Sequence, residues 1–245
     1  MFGYNRKKRP VELGPYPLEK HKRDRSIIEI EVASGAIEPD PMPVGQNNYL
    51  FEATKMHLDA YEKLRQPQPY SKMAPVPDDL VLRTRDIKGS GYFLDASQIG
   101  ICKIPNNAWL NIRTDKFTFA IVLAVEYADP VDKRNNAADW IRGNEHLLAT
   151  LLAAEIGIDL SGQISSMGFT SRVHWTGATD IDLDKVTVLA GLGVREKSKI
   201  INPYLGDRFA IAVVTTNYSL TEDIPLDPTV KNSKNLSYML GLSGA

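Results

Sequence analysis

Residues 117–127 have the sequence Phe-Thr-Phe-Ala-Ile-Val-Leu-Ala-Val-Glu-Tyr, an almost continuous apolar run bounded by polar turns. A half-buried strand alternates apolar and polar residues, whereas an unbroken run of this length is typical of a central strand covered on both faces. Such a strand needs other elements packed on each side of the sheet. The stretch therefore predicts a sheet at the centre of the fold, covered by helices.

Further helices and strands are predicted on both sides of this run. Apolar residues at helical spacing predict four helices, over 48–64, 78–97, 135–157 and 183–190. Alternating or continuous apolar runs predict more strands, over 26–32, 98–104, 171–177 and 208–217. Gly157 stands where the C-cap of the longest helix is expected. Because helices alternate with buried strands, the predicted fold class is α/β or α+β with a central sheet covered by helices.

By composition the chain has three parts. Residues 1–45 are an arm in which prolines interrupt any long element, residues 46–230 form one domain, and residues 231–245 are a polar tail. The basic clusters at 6–9 and 20–25 are expected to be solvated. An arm this rich in proline is expected to wrap a neighbouring surface or to mediate contacts in a dimer.

Charge and cysteine content exclude several classes of function. The 29 Lys and Arg residues against 30 Asp and Glu residues leave a net charge of −1, so no basic field favours nucleic acid. The single cysteine, Cys102, excludes an intramolecular disulfide and a Cys-only zinc site, and its place in a predicted strand favours a buried thiol. No apolar run approaches the roughly 18–20 residues of a membrane span, and no secretory signal follows the basic start. We therefore expect a cytoplasmic protein that does not contact a membrane.

The main candidate for a ligand-binding feature is a predicted helix that ends in a glycine turn at Gly191-Leu192-Gly193. Two glycines let the backbone reverse and let a large ligand approach the main chain, although the same pair can simply make a tight turn. A dinucleotide fingerprint would need a strand before the glycines and a third glycine where Glu196 stands. Walker A, HExxH, EF-hand and GxSxG patterns are absent, and the four histidines are scattered, so no metal site is predicted.

A family resemblance extends from this turn. Residues 182–193, Asp-Leu-Asp-Lys-Val-Thr-Val-Leu-Ala-Gly-Leu-Gly, resemble the AGLG region of the cobalamin-dependent reductive dehalogenases and of the related epoxyqueuosine reductases. The similarity continues through Ile-Ile-Asn-Pro-Tyr-Leu-Gly-Asp-Arg-Phe at 200–209 and through the stretch 213–225. Upstream, residues 87–104 are similar to the family's helix-then-strand entry into the corrinoid domain. The resemblance thus covers about residues 80–230.

The resemblance implies a nitroreductase-like, cobalamin-binding-type domain that holds the corrin base-off between loops. The turn at Gly191 would form one wall of the site and the loop 198–206 another. Because the family grips the corrin mostly with backbone and polar side chains, a missing histidine ligand is no objection. The cofactor-binding residues that the resemblance implies are Gly191, Leu192, Gly193, Asn202, Tyr204 and Gly206.

Departures from the family pattern bear on catalysis. Glu196 replaces a family glycine, and Lys197 stands where the family has a cation that assists a proton-donating tyrosine. No tyrosine occurs between Tyr127 and Tyr204, and Trp140 is near its expected place. Lys197 is therefore a catalytic candidate without its partner. The family's iron–sulfur clusters also need cysteine runs, which this chain does not contain.

Three hypotheses follow from the resemblance. The first is a non-catalytic, vestigial corrinoid-domain-like module with a structural or dimerisation role in reductive dehalogenation. Its partner would be a catalytic iron–sulfur and corrinoid domain or subunit, or a second copy in a homodimer. The second is a working cobalamin-binding protein that receives electrons from outside, and the third is a flavin-dependent reductase of the same fold. We favour the first, which predicts no tight cobalamin binding and no iron–sulfur cluster in this chain. Whether cobalamin still binds, and whether the isolated chain is an enzyme, stay open at this point.

Overall fold

The fold is described from a computed structural model, for residues 9–39, 49–111, 117–132 and 134–230. Six helices occur in these ranges: α1 Ser26–Ala33, α2 Tyr49–Tyr61, α3 Leu80–Phe93, α4 Ala138–Ile141, α5 Glu145–Ser166 and α6 Leu183–Leu189. Six strands accompany them: β1 Gln98–Lys103, β2 Phe119–Glu126, β3 Ser171–Trp175, β4 Val194–Glu196, β5 Lys199–Ile201 and β6 Phe209–Thr216. Short 3-10 turns complete the set.

Four strands form one antiparallel sheet in the order β1-β2-β6-β3. The central pair is in register with Ile121 opposite Val214 and Leu123 opposite Ala212. Strand β2 is buried along almost its whole length on both faces, as the apolar run predicted. Strands β4 and β5 form a separate hairpin, so part of the stretch 198–206, which was expected to be a loop, is strand β5.

The two faces of the sheet have separate hydrophobic cores. On one face, Ile121 and Leu123 pack with residues of α5 such as Leu160, and α2 and α3 belong to the same layer. On the other face, Val122 and Ala124 pack with α6 and with the hairpin. The N-terminal segment also contributes to this second core, through the buried Leu18. The fold is therefore a sheet covered by helices, which confirms the predicted class.

The longest helix begins and ends later than predicted. A break at Gly143, whose φ is +88°, separates α4 from α5, and α5 continues to Ser166. Gly157 is consequently not a C-cap but lies in the middle of α5. A Cβ atom at this position would lie 2.8 Å from Cγ1 of Val173 on β3. The glycine therefore marks close contact between helix and sheet, which a helical spacing rule cannot distinguish from a helix end.

The strand predicted over 26–32 is wrong, since these residues form α1. The Asp24 carboxylate accepts a hydrogen bond from the backbone N–H of Ser26 and so supports the start of the helix. Ile27 and Ile28 pack against the second core, whereas Ile30, which the strand pattern placed on the buried face, is exposed. So short a segment fits both periods, and burial against the second core favours the helical one.

The expectation about membrane spans also needs a correction. Of the helices in the described ranges, α5 is long and apolar enough to cross a membrane by length and composition, although 56% of its apolar window is buried in this fold. This is the pattern of a core helix packed on a sheet. The proposed tail, 231–245, lies outside the described residues, as does most of the first basic cluster.

Candidate functional site

The glycine turn is built by the end of α6. The Asp182 side chain caps the helix by accepting a hydrogen bond from the backbone N–H of Lys185. At the other end, Gly191 adopts a φ of +67°, and the N–H of Leu192 returns to the carbonyl of Thr187. This left-handed conformation favours glycine because a side chain would clash with the backbone. Gly191, Leu192 and Gly193 are all buried.

Arg23 from the N-terminal segment fills the space beside Gly191. Its Nη1 donates to the carbonyls of Gly191 at 3.0 Å and Ile224 at 2.8 Å, and its Nη2 donates to the carbonyl of Leu18 at 2.9 Å. A Cβ atom at residue 191 would collide with this guanidinium and with the Ile224 carbonyl. Burial lowers the pKa of Arg23, but the residue stays charged because guanidinium pKa values lie far above neutrality.

Tyr204 is held by the same segment. Its hydroxyl donates to the carbonyl of Pro17 at 3.1 Å, and its ring stacks on Tyr16 with centroids 5.2 Å apart. His21 meets the same ring edge-on, also at 5.2 Å. Burial and the nearby Arg23 charge lower the pKa of His21, so the imidazole is neutral around pH 7. We call residues 16–24 the strap, because they lie across the glycine turn and Tyr204.

Other predicted cofactor residues are occupied by contacts with their own neighbours. Gly193 packs so tightly against Ile200 of β5 that a Cβ atom would overlap it. The fully buried Asn202 donates from Nδ2 to the carbonyl of Leu192 and to the side chain of Gln98. Its Oδ1 accepts from the N–H groups of residues 204 and 205 at 2.8 and 2.9 Å. Gly206 exchanges both backbone hydrogen bonds with residue 202.

The structure thus brings together all six residues that the resemblance assigned to the cofactor. Their polar groups bond to the strap, to one another or to buried neighbours such as Gln98, and the space beside the two glycines is taken by Arg23 and Ile200. Two cavities, of about 420 and 340 Å³, lie beside α3, and none of the six residues lines either one. As arranged here, these residues do not fit a group as large as a corrin.

The catalytic candidate is placed differently. Lys197 lies in the turn of the β4–β5 hairpin with a φ of +56°, and its side chain is exposed. Trp140, near the expected place of the missing tyrosine, lies on α4, on the side of the sheet that carries α5. The hairpin packs on the opposite side. The structure therefore does not bring Lys197 and the expected tyrosine position together.

Sequence reasoning missed the residues that anchor the arm. Arg23 was expected to be solvated with its cluster, but it is half-buried and spans three carbonyls. Lys185 is buried and donates to the carbonyls of Ser34, Gly35 and Asn107, and burial lowers its pKa. Nothing in the local sequence marks either residue, because the acceptors are backbone carbonyls of distant segments.

Metal and thiol chemistry find no support at this site. Within the described ranges, no group of three His, Cys, Asp or Glu side chains is placed to hold a metal ion. The Cys102 thiol is buried and donates to the carbonyl of Val186 at 3.6 Å, and burial raises its pKa well above the usual range. Such a thiol is a packing group and not a nucleophile, as the strand position predicted.

Comparison with known proteins identifies relatives through structure. No protein-family model and no curated protein matches the chain. The catabolic reductive dehalogenase NpRdhA aligns with 31% identity and a TM-score of 0.82, over 97% of this chain and 34% of that chain. A reductive dehalogenase structure reported to suggest a mechanism for B12-dependent dehalogenation aligns with 31% identity and a TM-score of 0.83, over 100% of this chain and 35% of that one. Epoxyqueuosine reductase matches weakly, with 12% identity and a TM-score of 0.45.

An antiparallel sheet between helical layers, with a buried glycine turn after α6, defines an α/β domain of the reductive dehalogenase type. The chain is thus related to the reductive dehalogenase family, as the motifs around Gly191 predicted. It spans about a third of the length of the solved dehalogenases that it matches.

Proposed function

We propose that this chain is a non-catalytic, structural module of a reductive dehalogenation system, in which the strap has replaced cobalamin at the glycine turn. The observation that carries the proposal is the position of Arg23, whose guanidinium lies between the carbonyls of Gly191 and Ile224. A charged group that is bonded to three carbonyls and half-buried is costly to displace, because its hydrogen bonds must be replaced. A ligand that binds at this turn would have to displace Arg23 and replace its three hydrogen bonds.

The proposal includes a partner and a location. Since the chain corresponds to about a third of its solved relatives, we propose that it supports a catalytic iron–sulfur and corrinoid domain or subunit. That partner would carry the halide-removing chemistry, and this chain would contribute packing surface. A cytoplasmic location belongs to the same proposal.

The test is an absorption titration of the purified chain with hydroxocobalamin, scored for the base-off spectral shift. The wild-type chain is expected to give no shift while its circular dichroism remains that of a folded protein. The variant Arg23→Ala is expected to behave in the same way, because Ile200 still fills the space beside Gly193.

Two results would contradict the proposal. A stoichiometric shift with the wild-type chain would show a working cobalamin-binding protein, and loss of that shift in Gly193→Trp would place the cofactor at the turn. A shift that occurs only with Arg23→Ala would show that the site is covered but not lost. A cobalamin-dependent reductive dehalogenase serves as the positive control for the spectral change.

A further inference from the structure

A group of large apolar side chains lies exposed at one end of the α2–α5 layer. Tyr49 at the start of α2 is 81% exposed and Trp140 on α4 is 58% exposed, and their rings stack with centroids 6.1 Å apart. Ile141 follows Trp140, and Leu148 and Leu152 stand four residues apart on the exposed side of α5. We call these five residues the α4–α5 face.

The composition of the α4–α5 face differs from that of an ordinary solvated surface. Residues four apart on a helix lie on the same side, so Leu148 and Leu152 form an exposed apolar stripe on α5, which begins four residues after Ile141. Tyrosine and tryptophan are enriched at protein interfaces and at their energetic centres. Single exposed apolar residues need no explanation, whereas apolar patches of several hundred Å² are often functional.

Residues from elsewhere in the chain contact both edges of the four-stranded sheet. At the β3 edge, the backbone carbonyl of Arg65 accepts a hydrogen bond from the N–H of Val173 at 2.8 Å. The Nε of the same arginine donates to the carbonyl of Val173 at 2.9 Å. At the β1 edge, Asp223 donates its N–H to the carbonyl of Ile101 at 2.7 Å and accepts from the Ile101 N–H at 2.8 Å. At each edge one residue thus satisfies backbone groups that an added strand would pair with, which disfavours association through the edges of this sheet.

We propose that the α4–α5 face binds the same face of a second copy of this chain, across a two-fold axis. The exposed parts of its five side chains amount to roughly 500 Å², taking about 150–250 Å² for a large aromatic side chain. Two such faces would bury roughly 1,000 Å² in total, which is the lower limit for a specific interface, and rim and backbone atoms would add to it.

The charges at the border of this face suit a self-contact. Exposed Asp139 and Arg142 flank Trp140 and Ile141 with one negative and one positive charge. In a two-fold contact the same patch meets itself, so an acid of one copy can approach a base of the other and the net charge gives no repulsion. This inference rests on the proposed structural role: the α4–α5 face is the surface through which the chain would form its structural contact.

The test measures the mass of the purified chain by sedimentation velocity over a wide range of concentrations. The wild-type chain is expected to sediment as a dimer. The double variant Tyr49→Ser/Trp140→Ser is expected to raise the dissociation constant of the dimer at least about thirtyfold, as the truncation of central aromatic residues does. Both side chains are mostly exposed, so the fold is expected to survive, which circular dichroism checks.

Phe93→Ser provides the matched control. Phe93 is an equally exposed aromatic residue, at 83%, but it lies at the end of α3 beside Gln163. Gln163 is fifteen residues beyond Leu148 on α5, about 22 Å away at 1.5 Å per residue. This variant is expected to keep the wild-type dimer.

Two results would overturn the inference: a monomer at every concentration, or a dimer that the double variant leaves unchanged. In the first case the face would be free for a different polypeptide, and in the second the copies would meet elsewhere. Neither result changes the outcome expected in the hydroxocobalamin titration. Sedimentation velocity therefore tests the dimer contact, and the titration tests the proposed function, independently of each other.

Discussion

The contact between Arg23 and Gly191 is the residue-scale determinant of the candidate site. A hydrogen bond from a charged donor to a neutral acceptor contributes about 1.5–3 kcal/mol to stability, and Arg23 makes three of them to carbonyls of the strap and of two distant segments. These bonds require that residue 191 have no side chain. The glycine that the sequence pattern assigned to a ligand is used by the chain's own arginine.

Substitution of this glycine is expected to be severe. Gly191→Ala places a side chain in a left-handed conformation and pushes it into Arg23 and Ile224. The first effect alone costs about 1–2 kcal/mol and displacement of Arg23 adds to it, so we expect the free energy of unfolding to fall by at least about 2 kcal/mol. Urea unfolding followed by circular dichroism measures the difference.

Gly35→Ala is the control for this substitution. A Cβ atom at Gly35 has no atom within 4 Å, and its φ lies outside the left-handed region. We expect a change within about 0.5 kcal/mol. If Gly191→Ala is equally mild, Arg23 is not locked against the turn as described.

At the scale of the elements, the sequence predicted segments whose periodicity is long or unambiguous. Strand β2 was found from its continuous apolar run, and helices α3 and α6 were found from apolar residues at helical spacing. The helix α1 was missed because the seven-residue segment 26–32 supports two periods and only burial against the second core decides between them. The end of α5 was misplaced because Gly157 serves packing rather than termination.

Two glycines in α5 provide an element-scale prediction. Alanine in place of a helical glycine normally stabilises by about 0.5–1 kcal/mol, and Gly162→Ala is expected to do so because its Cβ would meet open space. Gly157→Ala is expected to destabilise by about 1–3 kcal/mol, because its Cβ would press on Val173 and force the helix from the sheet.

The two variants share a helix and a substitution, so helix propensity cancels in the comparison. Thermal and urea unfolding of both proteins gives the sign of each change. Stabilisation by Gly157→Ala would mean that α5 lies farther from β3 than the structure shows.

At the scale of the whole molecule, the sheet separates a side covered by α2, α3 and α5 from a side covered by α6, the hairpin and the N-terminal arm. The sequence predicted the covered sheet and the position of the glycine turn, because both depend on local patterns. It could not predict what lies on the turn, since Arg23 and Gly191 are 168 residues apart in the chain. Contacts of this kind arise from the folded topology, and the basic cluster around Arg23 carries no local sign of burial.

The central claim is that the strap is a fixed part of the fold that occupies the glycine turn. Amide hydrogen exchange of the purified chain, measured by mass spectrometry with and without hydroxocobalamin, tests it most directly. We expect peptides from the strap and from residues 187–194 to be protected to the same degree, with no change when hydroxocobalamin is added. Rapid exchange in the strap, or a change in both regions on addition of hydroxocobalamin, would contradict the account.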